Sequence, residues 1–400
     1  MSKNVVFCAD GTWNGPGEPD SDDSTKPDTN VFKLFSNLDG KYDAGTTKLE
    51  NEQELSLTGP DGTLLQVAKY IHGVGDSHND LVKALGGGFG AGLITRIVRG
   101  YTFISRNYAP GDKIFIIGFS RGAYTARALA GMIAAKGLLD AAKLGLTEDN
   151  KDKAYLLGTA LWFDYRKQVL QAQPTWLGHL TGMLFDLGLD LPGVPRDDQL
   201  VPAEIEAVAV WDTVGALGIP VYNERLVRLD IFQFADTKLS AKVHQGRHAI
   251  AIDEERTDFT PTLWDADARV VQVLFPGAHA DVGGGYPTTG NESGLSDGAL
   301  KWMTGELAGL GVVFSSSPAF VPDPDPAGTA HQPWAHLPFS KLLHKPRTFP
   351  TGLGLSRSAV DRIGGAPVIA DPGLPGAAYA PANLSAYVVG KAAAAGINVV

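Results

Sequence analysis

Six short apolar runs, each ending among Gly, Asp, Ser, Glu or His, punctuate the chain. They are NVVFCADG (4–11), LLQVAKYIHGVG (64–75), KIFIIGFS (113–120), EAVAVWDTVG (206–215), RHAIAIDEE (247–255) and ARVVQVLFPGAH (268–279). Their nearly unbroken Val, Ile, Leu and Phe content predicts strands covered on both faces, as in a parallel sheet. AGLITRIVRGYTFISRNY (91–108) and RGAYTARALAGMIAAKG (121–137) space their apolar residues at helical intervals instead, the second reaching a glycine stop. Strands alternating with helices predict an open α/β sheet, mostly parallel and flanked by helices, that binds ligands at the carboxyl ends of its strands.

Two stretches break this rhythm. Residues 140–200 hold helical material followed by TWLGHLTGMLFDLGLDLPGV (175–194), rich in Leu, Trp, Met and Phe with glycine hinges. One reading is a packed helical insertion between the strand at 113–120 and the next core strand. The other is an apolar lid or acyl-chain wall, which would set Trp176, Leu180, Met183 and Leu184 against a substrate. Beyond residue 312, SSSPAFVPDPDPAGTAHQPW is Pro-rich and without apolar periodicity. The expected division is a main unit over 1–312 and a C-terminal extension over 313–400 packed on the same domain.

Composition narrows the classes. With 44% apolar and 20% charged residues over 400 positions, a large core can be buried and a disordered chain is excluded. The 34 basic and 44 acidic side chains leave a formal charge of −10, which argues against broad nucleic-acid binding. The single cysteine, Cys8, excludes an internal disulfide and sits in an apolar run, as a buried small residue would. MSKNVVFCADGTWNG has no signal-peptide core, and no stretch is long and apolar enough for a membrane span. The expectation is a cytoplasmic protein, or one exported without an N-terminal signal.

Candidate chemistry centres on GFSRGAYTAR (118–127). Gly118 and Gly122 flank Ser120 at −2 and +2, between a buried strand and a helix, which is the context of a nucleophile elbow. The serine turns sharply there, and side chains at either flank would collide with the neighbouring strand and helix. The competing reading is a serine that merely caps the helix. A serine nucleophile needs a base and an orienting acid. Of His179, His244, His248, His279, His331, His336 and His344, His279 directly follows a buried strand and enters a glycine-rich turn, FPGAHADVGGGY (275–286). Asp212 and Asp253 both end strands and both qualify as the acid by spacing, while Asp281 sits close enough to His279 to shape its loop instead. The backbone N–H of Arg121 and a second donor from Gly11 or Thr12 would form the oxyanion hole. Asp10, beside that hole, is expected to accept loop hydrogen bonds.

DGTWN (10–14), GVG (73–75), GFSRGAYTAR (118–127), VWDTVGA (210–216), HAIAIDEERTDFTP (248–261) and HADVGGGY (279–286), taken in order, resemble the catalytic domain of the type VI secretion phospholipase effectors. LSRSAVDRI (355–363) and YAPANL (379–384) extend the likeness toward the C-terminus. The resemblance implies an α/β-hydrolase fold and a triad of Ser120, Asp212 and His279 cleaving glycerophospholipid esters. It thereby favours Asp212 over Asp253. The function expected is hydrolysis of lipid carboxylic esters, of phospholipase A or lipase type. The alternatives are a non-lipid carboxylesterase, a non-catalytic scaffold of the same fold, and a phosphoester hydrolase built on Asp10. No cofactor or metal is expected. The partners expected are a lipid or ester substrate and peripheral contact with a membrane. An immunity or secretion partner would suit the family, though no residue specifies one.

Overall fold

The computed structural model describes residues 2–11, 28–46, 52–72, 89–170, 191–214, 220–222, 228–230, 237–337, 339–341, 343–387 and 399–400. Its strands are β1 (Asn4–Ala9), β2 (Lys41–Tyr42), β3 (Glu52–Thr58), β4 (Leu64–Ile71), β5 (Lys113–Phe119), β6 (Leu138–Leu139), β7 (Leu200–Val201), β8 (Ile205–Trp211), β9 (Pro220–Tyr222), β10 (Arg228–Asp230), β11 (Val243–Ala251), β12 (Val270–Phe275) and β13 (Gly354–Leu355). Among the described residues, nine of these form one sheet in the order β13-β12-β11-β8-β5-β1-β4-β3-β2. From β13 to β4 every pairing is parallel, while β3 and β2 add an antiparallel edge. The fold is therefore α/β, with a mostly parallel central sheet flanked by helices.

The six predicted strands all lie in this sheet, and both faces are covered. Val5 and Phe7 of β1 join Ile114, Ile116, Val208 and Val210 in a core under the helices over Phe89–Asn107, Arg121–Lys136 and Lys151–Leu170. Val6 and Cys8 point the other way, with Phe115 and Ile117, toward the helices Asn30–Ser36 and Gly294–Gly309. These helices are α1 (Asn30–Ser36), α2 (Phe89–Asn107), α3 (Arg121–Lys136), α4 (Ala141–Leu144), α5 (Lys151–Leu170), α6 (His279–Gly283), α7 (Gly294–Gly309) and α8 (Arg357–Ile363). The period of two along a strand sends successive residues to opposite cores, which is why these runs are apolar throughout.

Residues 140–170 of the insertion pack α5 into the first core through Ala154, Leu161, Trp162 and Phe163. The remaining lid expectation falls on Trp176, Leu180, Met183 and Leu184, which lie outside the described residues. The C-terminal stretch adds β13 to the sheet beside β12 and buries Arg362 of α8 almost completely. Among the described residues no helix is long and apolar enough to cross a membrane.

Candidate active site

Parallel pairing puts the carboxyl ends of β5, β8, β11 and β12 along one edge of the sheet. Phe119 lies opposite Trp211, Trp211 opposite Ala249, and Ala251 opposite Phe275. Ser120, Asp212 and His279 leave that edge, each after the end of its strand.

Ser120 adopts φ 57° and ψ −122°, a region costing an L-residue on the order of 1–3 kcal/mol. Its N–H donates to the Trp211 carbonyl at 3.1 Å, and its own carbonyl accepts from Tyr124 N–H at 3.2 Å, so the strain is held from both sides. The flanking glycines do what the sequence requires of them. A Cβ on Gly118 would lie 2.3 Å from the Gly122 carbonyl oxygen, and one on Gly122 would lie 2.1 Å from the Ala9 carbonyl oxygen. The helix α3 therefore starts hard against the end of β1. The Ser120 side chain makes no capping hydrogen bond, so the capping role has no support.

Asp212 is likewise at positive φ, 35°. Its backbone N–H donates to the Ala249 carbonyl at 2.7 Å. Its carboxylate is fully buried and accepts from four donors. Arg347 presents its fork, Nη1 to Oδ1 at 2.7 Å and Nη2 to Oδ2 at 2.9 Å. Ala251 N–H reaches Oδ1 at 3.0 Å, and His279 Nδ1 lies 2.5 Å from Oδ2. Burial pushes this carboxyl up, but the Arg347 charge, followed by the His279 hydrogen bond, outweighs it and holds the group well below the ordinary carboxylate range. Asp212 is an anion at any working pH.

His279 opens α6. Its N–H donates to Glu254 Oε2 at 3.2 Å, and Arg256 grips that carboxylate through Nε at 2.8 Å and Nη2 at 2.7 Å. The imidazole stands between two phenyl rings, with centroids 4.6 Å from Phe119 and 4.9 Å from Phe259. Its Nε2 is buried and has no hydrogen-bond partner among the described residues. Burial lowers the His279 pKa more than Asp212 raises it, so the ring is neutral near pH 7. With Nδ1 turned to a permanent carboxylate, the proton sits on Nδ1 and Nε2 is the basic nitrogen. The tilted ring contact with Phe119 puts that imidazole beside the residue preceding Ser120.

The other acids have different partners. Asp253 accepts from Gly277 N–H at 2.7 Å and from the Tyr379 hydroxyl at 2.8 Å, which ties the loop before His279 to the C-terminal stretch. Asp281 accepts from Ala278 N–H at 2.8 Å and His331 Nδ1 at 2.6 Å, so it shapes the His279 turn. Asp10 accepts from Thr29 Oγ1 at 2.6 Å, Tyr70 hydroxyl at 2.7 Å and Gly11 N–H at 2.6 Å. The last of these engages the Gly11 donor expected at an oxyanion hole. Arg121 is the first residue of α3, where a helix provides no carbonyl for its N–H groups. Thr12 lies outside the described residues.

Arg347, Glu254, Arg256 and Phe259 were not foreseen. Glu254 and Arg256 carry a faint signal, an acid and a base two apart at a strand end. Arg347 has none, since it lies 135 positions from Asp212 in a Pro-flanked segment.

A family model described as T6SS, Phospholipase effector Tle1-like, catalytic domain matches residues 3–306. The chain is 29% identical over 257 residues to the uncharacterized protein YEL023C of Saccharomyces cerevisiae, covering 64% of this chain and 32% of that protein. It thus spans about a third of the length of this curated relative. A solved structure of the Tle1 effector bound to the VgrG spike of the type 6 secretion system aligns with TM-score 0.37 and 15% identity, over 72% of this chain and 52% of that one. An uncharacterized protein from Pseudomonas aeruginosa aligns with TM-score 0.39 and 17% identity, over 79% and 47%.

Proposed function

We propose, from the premise that the chain belongs to the Tle1-like phospholipase effector catalytic-domain family, that it hydrolyses carboxylic esters of phospholipids through Ser120, His279 and Asp212. The observation that carries this reading is the buried, unpartnered Nε2 of His279, on a ring whose Nδ1 lies 2.5 Å from Asp212. A neutral imidazole so oriented lacks one thing, a hydroxyl to deprotonate, and its ring lies 4.6 Å from that of Phe119, which immediately precedes Ser120.

In this mechanism Ser120 Oγ attacks the acyl carbonyl carbon as His279 Nε2 takes the hydroxyl proton. The imidazolium so formed is stabilised by the Asp212 carboxylate, which stays ionised. Collapse of the tetrahedral intermediate breaks the bond to the lipid alcohol, and His279 returns the proton to that oxygen. Water then attacks the acyl-enzyme by the same route and releases the fatty acid. The Arg121 N–H, at the positive end of α3, stabilises the oxyanion. Gly11 joins it once its N–H leaves Asp10, with Thr12 beside it. Trp176, Leu180, Met183 and Leu184 line the acyl chain and contact the bilayer. Because Arg347 comes from the 313–400 extension, that extension and the 1–312 unit act as one catalytic domain. Export without an N-terminal signal, with a secretion or immunity partner, belongs to the same reading.

The test is release of fatty acid from diacyl phospholipid vesicles, followed by product analysis, beside hydrolysis of short p-nitrophenyl esters. Lipid release by wild type and none by Ser120→Ala is expected. Ester turnover without lipid release would replace the lipid substrate by a small ester.

A further inference from the structure

A cavity of about 390 Å³ lies along the C-terminal half of α3, between that helix, α5 and residues 238–243. It is apart from the serine edge, since Ser120 precedes the first residue of α3 and the cavity begins at Arg127. Its charged lining is of one sign: Arg127, Arg166 and Lys238, with no Asp or Glu among the described lining residues. Much of the remaining wall is apolar, with Leu239, Val243 and Trp264.

Arg166 is the decisive group. It is 6% exposed, and among the described residues it donates no hydrogen bond and forms no ion pair, with its Nε buried and unpartnered. Its nearest ring contact is Trp162, 5.7 Å from the guanidinium carbon. A guanidinium cannot shed its charge by losing a proton. A buried group of that kind is stable only with a counter-charge or hydrogen-bond acceptors. Arg127, also 6% exposed, is already oriented, with Nη1 donating to the Thr262 carbonyl and its plane 4.4 Å over Trp264. Two buried guanidinium groups lining one apolar-walled space offer charged donors to an oxyanion. We propose that this cavity binds an oxyanion, a phosphate or a carboxylate carried on an apolar stem, with Arg166 as its main ligand. The anion supplies the counter-charge that no described residue provides, and the stem covers the Leu239, Val243 and Trp264 wall.

Two probes distinguish the head groups, octyl phosphate and octanoate, titrated calorimetrically below their micellar concentrations into the full chain at constant ionic strength. Saturable binding of either at one site is expected. Tighter binding of octyl phosphate assigns a phosphate head, and tighter binding of octanoate a carboxylate. Arg166→Met weakens binding at least about tenfold, as loss of a charge-assisted pair requires. The same variant melts at a higher temperature than wild type in chloride buffer, because the uncompensated charge is gone, and its Ser120 labelling by a fluorophosphonate is unchanged. Should Arg166→Met not fold, Arg166→Gln gives the same binding readout. Absence of saturable binding of both probes to wild type overturns the site, as does binding unaltered in the Arg166 variant. Neither result bears on ester hydrolysis, which the labelling follows separately.

Discussion

Asp212 and Asp253 leave the carboxyl ends of two adjacent strands, β8 and β11, and face opposite electrostatic fates. Asp212 is gripped by the Arg347 fork and lies against His279. Among the described residues the hydrogen-bond donors to Asp253 are neutral, the Gly277 amide and the Tyr379 hydroxyl. Enclosure raises both carboxyls. For Asp212 the Arg347 charge and the His279 contact reverse the shift, whereas Asp253, helped only by hydrogen bonds and a more distant arginine, is pushed up to about 6. A strand end thus offers a place for an acid, and the cation beside it decides whether the acid is a permanent anion. Only the permanent anion can hold an imidazolium.

The sharpest way to break this contrast is to remove what each aspartate serves. Ser120→Ala is expected to lower kcat on phospholipid or p-nitrophenyl ester by roughly 10⁶-fold. Asp212→Asn should lower it by about 10⁴-fold, by loss of tautomer control, while Asp253→Asn stays near wild type. Comparable losses in the two Asn variants would erase the distinction. Arg347→Met leaves the Asp212 carboxylate buried beside a single cation at most. It should destabilise the fold by about 3–5 kcal/mol in denaturant unfolding, with kcat/KM reduced as well.

Stability against pH sharpens the contrast further. The Asp253 pKa is raised on folding, so the native state holds the extra proton. Its favourable contribution is complete below about pH 4 and is lost as pH rises to about 6. Wild type should therefore lose about 2–3 kcal/mol relative to Asp253→Asn across that window. Asp212, with its pKa lowered, contributes stability above about pH 4 that is lost on acidification. The smallest expected effect is kinetic. If His279, lowered from 6.5, is the base proposed above, the acid limb of kcat/KM should fall below pH 6.5. An acid limb above that value would mean a different base.

What could be read from the sequence follows from where the information is local. The parallel strands were legible because burial on both faces leaves no polar position after the first residue of runs such as NVVFCA and KIFIIGF. The elbow was legible because two glycines meet two backbones within five residues. The edge strand β3, EQELSLT, was not, because Glu52 and Glu54 break its apolar pattern and are half-buried only through ion pairs with Lys69 of β4. Helix α7, GLSDGALKWMTGELAG, was hidden by four glycines that weaken the helical pattern. Which of Asp212 and Asp253 lies against His279 could not be chosen from spacing, since both follow adjacent strand ends. What separates them is Arg347, which the chain delivers from a segment with no periodicity.

The central claim is that the hydroxyl at position 120 is activated by the His279–Asp212 pair. Intact-mass and peptide analysis after brief exposure to a fluorophosphonate tests it most directly. The account predicts one adduct, on the Ser120 peptide, absent from Ser120→Ala and formed far more slowly in His279→Ala. An adduct on another residue, or labelling of His279→Ala at the wild-type rate, would contradict it.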